Sequence, residues 1–128
     1  AEILILELVK NGQIKNAKIL ILGITFKENC PDMRNSKVID LINILEKYNL
    51  NITVLDPYCD LNFNKSDISV IYKSQIQFDK KFHAIVGAVN HDFFKNISLN
   101  DFISLGHKEC VFMDLKGMLP RSLNPIRP

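Results

Sequence analysis

One stretch of this 128-residue chain concentrates the side chains that could bind a charged ligand: Gly23-Ile-Thr-Phe-Lys-Glu-Asn-Cys-Pro-Asp-Met-Arg-Asn-Ser36. It places two cations, Lys27 and Arg34, in a polar loop ahead of Ser36, a good helix N-cap. A helix N-terminus presents unpaired N–H groups and the positive end of its dipole, so the loop suits an anion such as a phosphate. Arginine can grip a phosphate in a bidentate fashion, whereas lysine acts as a point charge. Physical chemistry alone leaves a second reading open, in which Lys27 is solvated and Arg34 pairs with Asp32 or Glu28.

The other reactive residue types offer less. Cys30, Cys59 and Cys110 are widely spaced and form no Cys-x-x-Cys pair, which argues for free thiols in a reducing compartment and against a zinc site. Cys30 sits in the anion loop before Pro31, yet a nucleophilic thiol needs a lowered pKa and a neighbouring base; it reads as structural. The five glycines are Gly12, Gly23, Gly87, Gly106 and Gly117, and none has the Gly-x-Gly-x-x-Gly spacing of a primary dinucleotide site. Asp56 precedes Pro57 and suits a turn cap better than a ribose contact. His91, next to Asp92, suits a helix cap better than catalysis. His83 and His107 fall in expected loops.

The elements that must position these residues follow from periodicity. Glu2 to Lys10 reads as a helix that is apolar nearly all round, so part of it is expected to face another domain or subunit. Lys18 to Gly23 is a short apolar run closed by glycine, as in a buried parallel strand. A helix follows from Ser36 to about Tyr48, then a strand at Asn51 to Leu55. Ile68 to Tyr72 reads as a short strand, Gln75 to Phe78 as a turn or short helix, and Ala84 to Val89 as a strand. Short helices are expected at His91 to Lys95 and, capped by Ser98, at Leu99 to Leu105. Val111 to Leu115 is the last strand, and the tail after Gly117 is irregular. This alternation predicts an α/β fold: an open, Rossmann-like, mostly parallel sheet of about four to six strands flanked by helices and preceded by an N-terminal helix. Ligands in such sheets gather at the carboxyl ends of the strands, here Gly23 to Arg34, Asp56, Val89 to His91, and Lys116-Gly117.

Composition sets the bounds. Hydrophobic residues make up 47% and charged residues 23%, the balance of a folded domain and not of a disordered chain. A net charge of +2 and a pI near 8.5 are too weak for a nucleic-acid binder. No apolar run approaches a membrane span, and no signal peptide is legible. The first residue is not Met, so the chain is expected to be cut from something longer or processed. Residues 1–14 read as the end of a linking helix from an upstream domain, and 15–128 as the domain proper.

The run from Gly23 to Ser36 and on through Lys-Val-Ile-Asp40 resembles the start of the C-terminal, UDP-binding domain in the UDP-glucose/GDP-mannose dehydrogenase family. Phe26-Lys27, the Asp32-x-Arg34 pair and Ser36 fall at that family's spacing. The form Phe-Lys-Glu-Asn-Cys-Pro-Asp is most similar to the bacterial branch that oxidises UDP-N-acetyl-hexosamines for surface polysaccharides of the Vi type. Asp56-Pro57, Phe82 to His91 and Phe112 to Gly117 extend the likeness over roughly residues 15 to 120.

The resemblance implies an NAD-dependent 6-dehydrogenase that takes the sugar C6 alcohol to a carboxylate. In such enzymes a cysteine in an earlier segment carries the intermediate. None of the cysteines here has that setting, so no catalytic residue is expected in this chain and the main NAD site is expected on an upstream domain. Phe26 and Lys27 are implied to contact the UDP-sugar and Arg34 the cofactor. Lys116 stands where glucose-specific relatives carry an arginine near the substrate. The full-length protein is expected to be a cytoplasmic homo-oligomer with no membrane, nucleic-acid or metal partner. The rival reading is a stand-alone Rossmann-like nucleotide-binding or regulatory module. A receiver-like signalling domain would need clustered acids after the first strand, where Gly23-Ile-Thr-Phe-Lys27 stands instead.

Overall fold

In the computed structural model, residues 2–10, 16–25, 37–57, 68–71 and 82–127 are described. Five strands, β1 (Lys18–Leu22), β2 (Asn51–Leu55), β3 (Ile68–Ile71), β4 (Phe82–Gly87) and β5 (Gly106–Asp114), form one sheet in the order β3-β2-β1-β4-β5. All four pairings are parallel. The expected α/β class, the strand count and the N-terminal helix are therefore all found. The chain leaves β1 toward β2 on one side and returns to β4 on the other, which puts the topological switch point between β1 and β4.

Alternation along the strands divides the core in two. Ile19 and Ile21 of β1, Val54 of β2, Val86 of β4 and Met113 of β5 point to one face, covered by α1 (Glu2–Lys10) and α2 (Lys37–Glu46). Leu20 and Leu22, with Leu55 and Ile85, point to the other, covered by Phe94 of a 3₁₀ helix (Asp92–Asn96) and by Phe102 and Leu105 of α3 (Leu99–Leu105). A sheet covered on both faces is why β1 reads as a continuous apolar run.

The helices obey local rules. In α2, Val38, Ile42 and Leu45 form the buried stripe at i, i+4 and i+7. Ser98 accepts from the Asp101 N–H and Asp101 returns a bond to the Ser98 N–H, a complete capping box. In α1 only one side is buried, through Leu4 and Leu8, while Ile3, Leu6 and Val9 are exposed. Among the described residues no helix is long and apolar enough to cross a membrane.

Three boundaries differ from the sequence expectation. β4 begins at Phe82, placing His83 within a strand. β5 begins at Gly106, directly after α3, because a bulge carries polar residues 107–109 between the Phe82–Gly106 and Ala84–Val111 pairings. The tail is less irregular than expected: Arg121–Leu123 form a 3₁₀ turn, and Ile126 bridges Met113 in parallel. The Gln75 to Phe78 expectation and the Ser36 cap lie outside the described residues.

At the amino end of the sheet, Nδ1 of His83 accepts the Lys18 N–H at 2.9 Å, and its ring lies 5.1 Å from that of His107. Burial, then the nearby His107 and Lys18 charges, lower the His83 pKa. A histidine whose folded pKa lies below its unfolded value of about 6.5 favours folding above that pH and loses the contribution as pH falls toward the folded pKa. Thermal melts should therefore show a drop in midpoint as pH falls below about 6.5 that shrinks in His83→Asn. An unchanged drop in the variant would assign the effect to other groups.

Candidate functional site

Two buried carboxylates organise the carboxyl ends of the strands. Asp56 follows β2 and is fully buried. Its Oδ2 accepts the Ile24 N–H at 2.7 Å and the Thr25 N–H at 3.2 Å. The His91 Nε2–H donates to the same oxygen at 3.0 Å, and Nε2 also lies 3.0 Å from Thr25 Oγ1. Because Nε2 faces a carboxylate oxygen, the ring must carry its proton there. Through Oδ2, Asp56 therefore looks inward, toward the start of the β1–α2 loop; the residues after Pro57 that it would cap lie outside the described residues. His91 does occupy the N-cap position of the Asp92–Asn96 3₁₀ helix, but its side chain makes no capping bond. It is buried completely, with its ring 5.7 Å from that of Phe94.

The neighbouring backbone is equally constrained. The Gly23 N–H donates to Leu55 O, and the Ala88 and Val89 N–H groups both donate to Leu22 O. Gly23 has φ +96°, and a β-carbon there would meet Val89 Cβ at 2.4 Å. The position a phosphate would need for close approach to this glycine is thus filled by Val89.

Asp114 ends β5 and is 2% exposed. Its Oδ1 accepts the Lys116 N–H at 3.2 Å and the Met118 N–H at 2.9 Å. Its Oδ2 accepts the Leu119 N–H at 3.0 Å and pairs with Arg127 Nη2 at 3.2 Å. Burial by itself would raise this carboxyl's pKa; the three backbone N–H bonds and the Arg127 charge outweigh it, and the pKa is lowered. Arg127 is delivered by the tail, where Asp114 N–H donates to Ile126 O and Ile126 N–H to Phe112 O. The same guanidinium donates to Leu119 O at 3.3 Å and lines a recess of about 220 Å³ with Arg121, Asn124 and Pro125.

Of the residues that the sequence singles out, Lys116 is exposed on the turn that Asp114 holds. Phe26, Lys27 and Arg34 lie outside the described residues, as do Cys30 and Cys59. Thr25, next to Phe26 in the chain, is the last described residue of the loop and is buried. Cys110 is half-buried, and burial pushes its thiol up to about 12, the opposite of an activated nucleophile. Among the described residues no three His, Cys, Asp or Glu side chains converge as a metal site. The roles of Asp56, His91 and Asp114 could be suspected from their places at strand ends, but the partners lie 31 to 35 residues away for Asp56 and no local pattern encodes them.

Residues 20–121 match the family model described as UDP-glucose/GDP-mannose dehydrogenase family, UDP binding domain. The chain belongs to the UDP-glucose/GDP-mannose dehydrogenase family. It is 35% identical over 128 residues to UDP-N-acetyl-D-glucosamine 6-dehydrogenase of Salmonella typhi, covering 99% of this chain and 30% of that protein. It is 39% identical over 118 residues to Protein CapL of Staphylococcus aureus, covering 88% of this chain and 26% of that one. In structure it is similar to an NDP-N-acetyl-D-galactosaminuronic acid dehydrogenase from Methanosarcina mazei, with a TM-score of 0.76 at 18% identity over 94% of this chain and 25% of that chain. The dehydrogenase-family sheet is thus reproduced, while the chain spans less than a third of the length of these relatives.

Proposed function

We propose that this chain is the substrate-side domain of an NAD-dependent UDP-N-acetyl-hexosamine 6-dehydrogenase serving surface-polysaccharide synthesis in the cytoplasm. In this reading it supplies contacts to the UDP-sugar and contributes little else to the chemistry. One observation carries it: Phe26-Lys27 follows directly on Thr25, whose backbone Asp56 holds at the switch point of a parallel sheet, where ligands of such sheets collect. Phe26 and Lys27 meet the sugar nucleotide, Lys116 approaches it from the turn after β5, and Arg34 reaches the cofactor. Residues 1–14, which include α1, lead from an upstream domain, and the whole protein works as a homo-oligomer.

The residues of this chain do not fit a principal NAD site. Its glycines lack the dinucleotide spacing, and the glycine that ends β1 is closed off by Val89. NAD, which accepts hydride in this chemistry, is therefore assigned to the part of the protein outside this chain, as is the nucleophilic cysteine. What remains here is binding, orientation and charge.

In the full-length enzyme, Lys27→Ala should raise KM for the UDP-sugar about 10-fold or more, the scale of one charge-assisted hydrogen bond, and leave KM for NAD nearly unchanged. Lys27→Arg should restore only part, since a planar guanidinium needs a different geometry. The measurement is a UDP-sugar titration at saturating NAD. Variants within about twofold of wild type, the behaviour of a solvated surface lysine, would remove Lys27 from the site. NADH production by this chain alone would overturn the assignment of the chemistry to other segments.

A further inference from the structure

The segment after β5 is held as a frame against the sheet. Leu119 belongs to the core on the α3 side and Leu123 packs against it, whereas Ile126 packs against the core on the α1 and α2 side. Between them the chain passes around β5, an edge strand of the sheet. Backbone bonds pin each step: Leu123 N–H to Pro120 O at 3.1 Å, Asn124 N–H to Arg121 O at 3.0 Å, and Ile126 N–H to Phe112 O at 2.8 Å. Asn124 makes the bend with φ +52°, a left-handed conformation that asparagine adopts more readily than most residues.

The recess of about 220 Å³ inside this frame is lined by Arg121, Asn124, Pro125 and Arg127, with no acidic side chain among them. Arg127 turns Nη2 inward, to Leu119 O and Asp114 Oδ2, while its side chain stays 39% exposed. A guanidinium carries further N–H donors on Nη1 and Nε, and no hydrogen bond among the described residues uses them. Arg121 is exposed and pairs with no carboxylate among the described residues. Two guanidiniums against the single buried carboxylate of Asp114 leave the recess net positive, and like charges gathered this way favour an anion between them.

We propose that this recess binds a phosphate group, with Arg121 and the outer edge of Arg127 as its charged donors and the Asn124 amide as a neutral one. Guanidinium forks match phosphate oxygens in a bidentate way, and a phosphate has enough oxygens to take donors from both arginines and the amide together. The volume falls below the roughly 300–1,000 Å³ of pockets that enclose a whole drug-sized ligand. The recess therefore suits free phosphate, or the phosphates of a nucleotide whose remainder lies outside it. Because Asp114 and the backbone bonds already fix Arg127 and the bend, little ordering is left to oppose binding. The site stands independently of the role assigned to Lys27.

The test is amide hydrogen exchange in the full-length protein, read by mass spectrometry on peptides covering residues 119–127 while inorganic phosphate, pyrophosphate or UDP is titrated in. Chloride at the same ionic strength is the control, since general screening acts on all exposed charges. Exchange in these peptides is expected to slow and to saturate with phosphate or with one of the diphosphates, because a ligand that binds the closed frame suppresses its local opening. Arg121→Ala should raise the half-saturating concentration about 10-fold or more, the scale of a charge-assisted hydrogen bond. That side chain makes no bond that holds the frame, so the variant should fold as wild type does, and Arg121→Lys should recover only part of the loss. Protection by inorganic phosphate assigns the recess to a free oxyanion; protection by UDP and not by phosphate assigns it to the diphosphate of a nucleotide. Either result supports the site. Protection that chloride reproduces overturns it, as does the absence of protection by all three ligands, or a titration that Arg121→Ala leaves within about twofold of wild type.

Discussion

Gly23→Ala is expected to cost this domain about 2–6 kcal/mol, a large loss for the addition of one methyl group. Two effects sum. At φ +96° an L side chain is strained, by about 1–3 kcal/mol. The new β-carbon also falls 2.4 Å from Val89 Cβ, 2.9 Å from its nitrogen and 3.0 Å from its Cα, and overpacking of this kind costs about 1–3 kcal/mol more. Val89 cannot swing aside as a flexible side-chain tip would. Its own N–H is bonded to Leu22 O at 3.0 Å, so relief must shift the segment that leads from β4 to His91. Gly117 is the internal control. It too has positive φ, +70°, but a β-carbon there has nothing within 4 Å, so Gly117→Ala should cost only the conformational part, about 1–2 kcal/mol. Chemical denaturation of the two variants separates the terms. Equal losses would mean that the contact with Val89 relaxes freely and that the β1–β4 junction is softer than its geometry indicates.

Asp114→Ala is expected to cost about 3–5 kcal/mol, the cost of removing one partner from a buried, hydrogen-bonded ion pair. The substitution strands the N–H groups of Lys116, Met118 and Leu119 and leaves Arg127 without its carboxylate. Asp114→Asn keeps acceptor oxygen but not charge, and should lose about half as much. Arg127→Ala should lose only about 1 kcal/mol, because that guanidinium is partly exposed and water can replace it around the carboxylate. The linkage has a definite sign. The folded pKa of Asp114 lies below its unfolded value, so its contribution is complete above about pH 4 and is lost as pH falls through the folded pKa. Urea melts of wild type and Asp114→Asn should therefore converge below about pH 4. A constant gap at all pH values would show that ionisation of Asp114 is not what holds the turn. In the full-length enzyme the same variants report on Lys116, whose backbone N–H the carboxylate grips: if Lys116 meets the sugar nucleotide, its KM rises while that for NAD does not.

These two positions mark where sequence reasoning succeeds and where it stops. Gly23 and Asp114 stand at strand ends that apolar periodicity locates directly, since a buried parallel strand must be a short continuous apolar run. Lys18–Leu22 and Asn51–Leu55 are legible for that reason. Leu99–Leu105 is legible because Ser98 and Asp101 form a local capping box. The start of β5 is not legible, because its bulge admits polar residues 107–109 whose only rationale is the register with β4. For the same reason His83 reads as a loop residue, although its ring accepts a bond from the neighbouring strand's Lys18.

Contiguous residues encode the fold class, the family, and the loop that bears Phe26, Lys27 and Arg34, and these can be read along the chain without coordinates. Periods of two and 3.6 come from backbone geometry, and a binding loop keeps its chemical groups close together in the chain. What Asp56, His91 and Asp114 do became visible with the folded sheet. Asp-Pro at a strand end satisfies a turn rule, and His before Asp satisfies a capping rule, so local reasoning stops at those answers. Packing adds what local reasoning lacks, because a fully buried carboxylate must find donors. Among the described residues, Asp56 takes donors from Ile24, Thr25 and His91, three residues brought together only when β1, β2 and β4 align side by side.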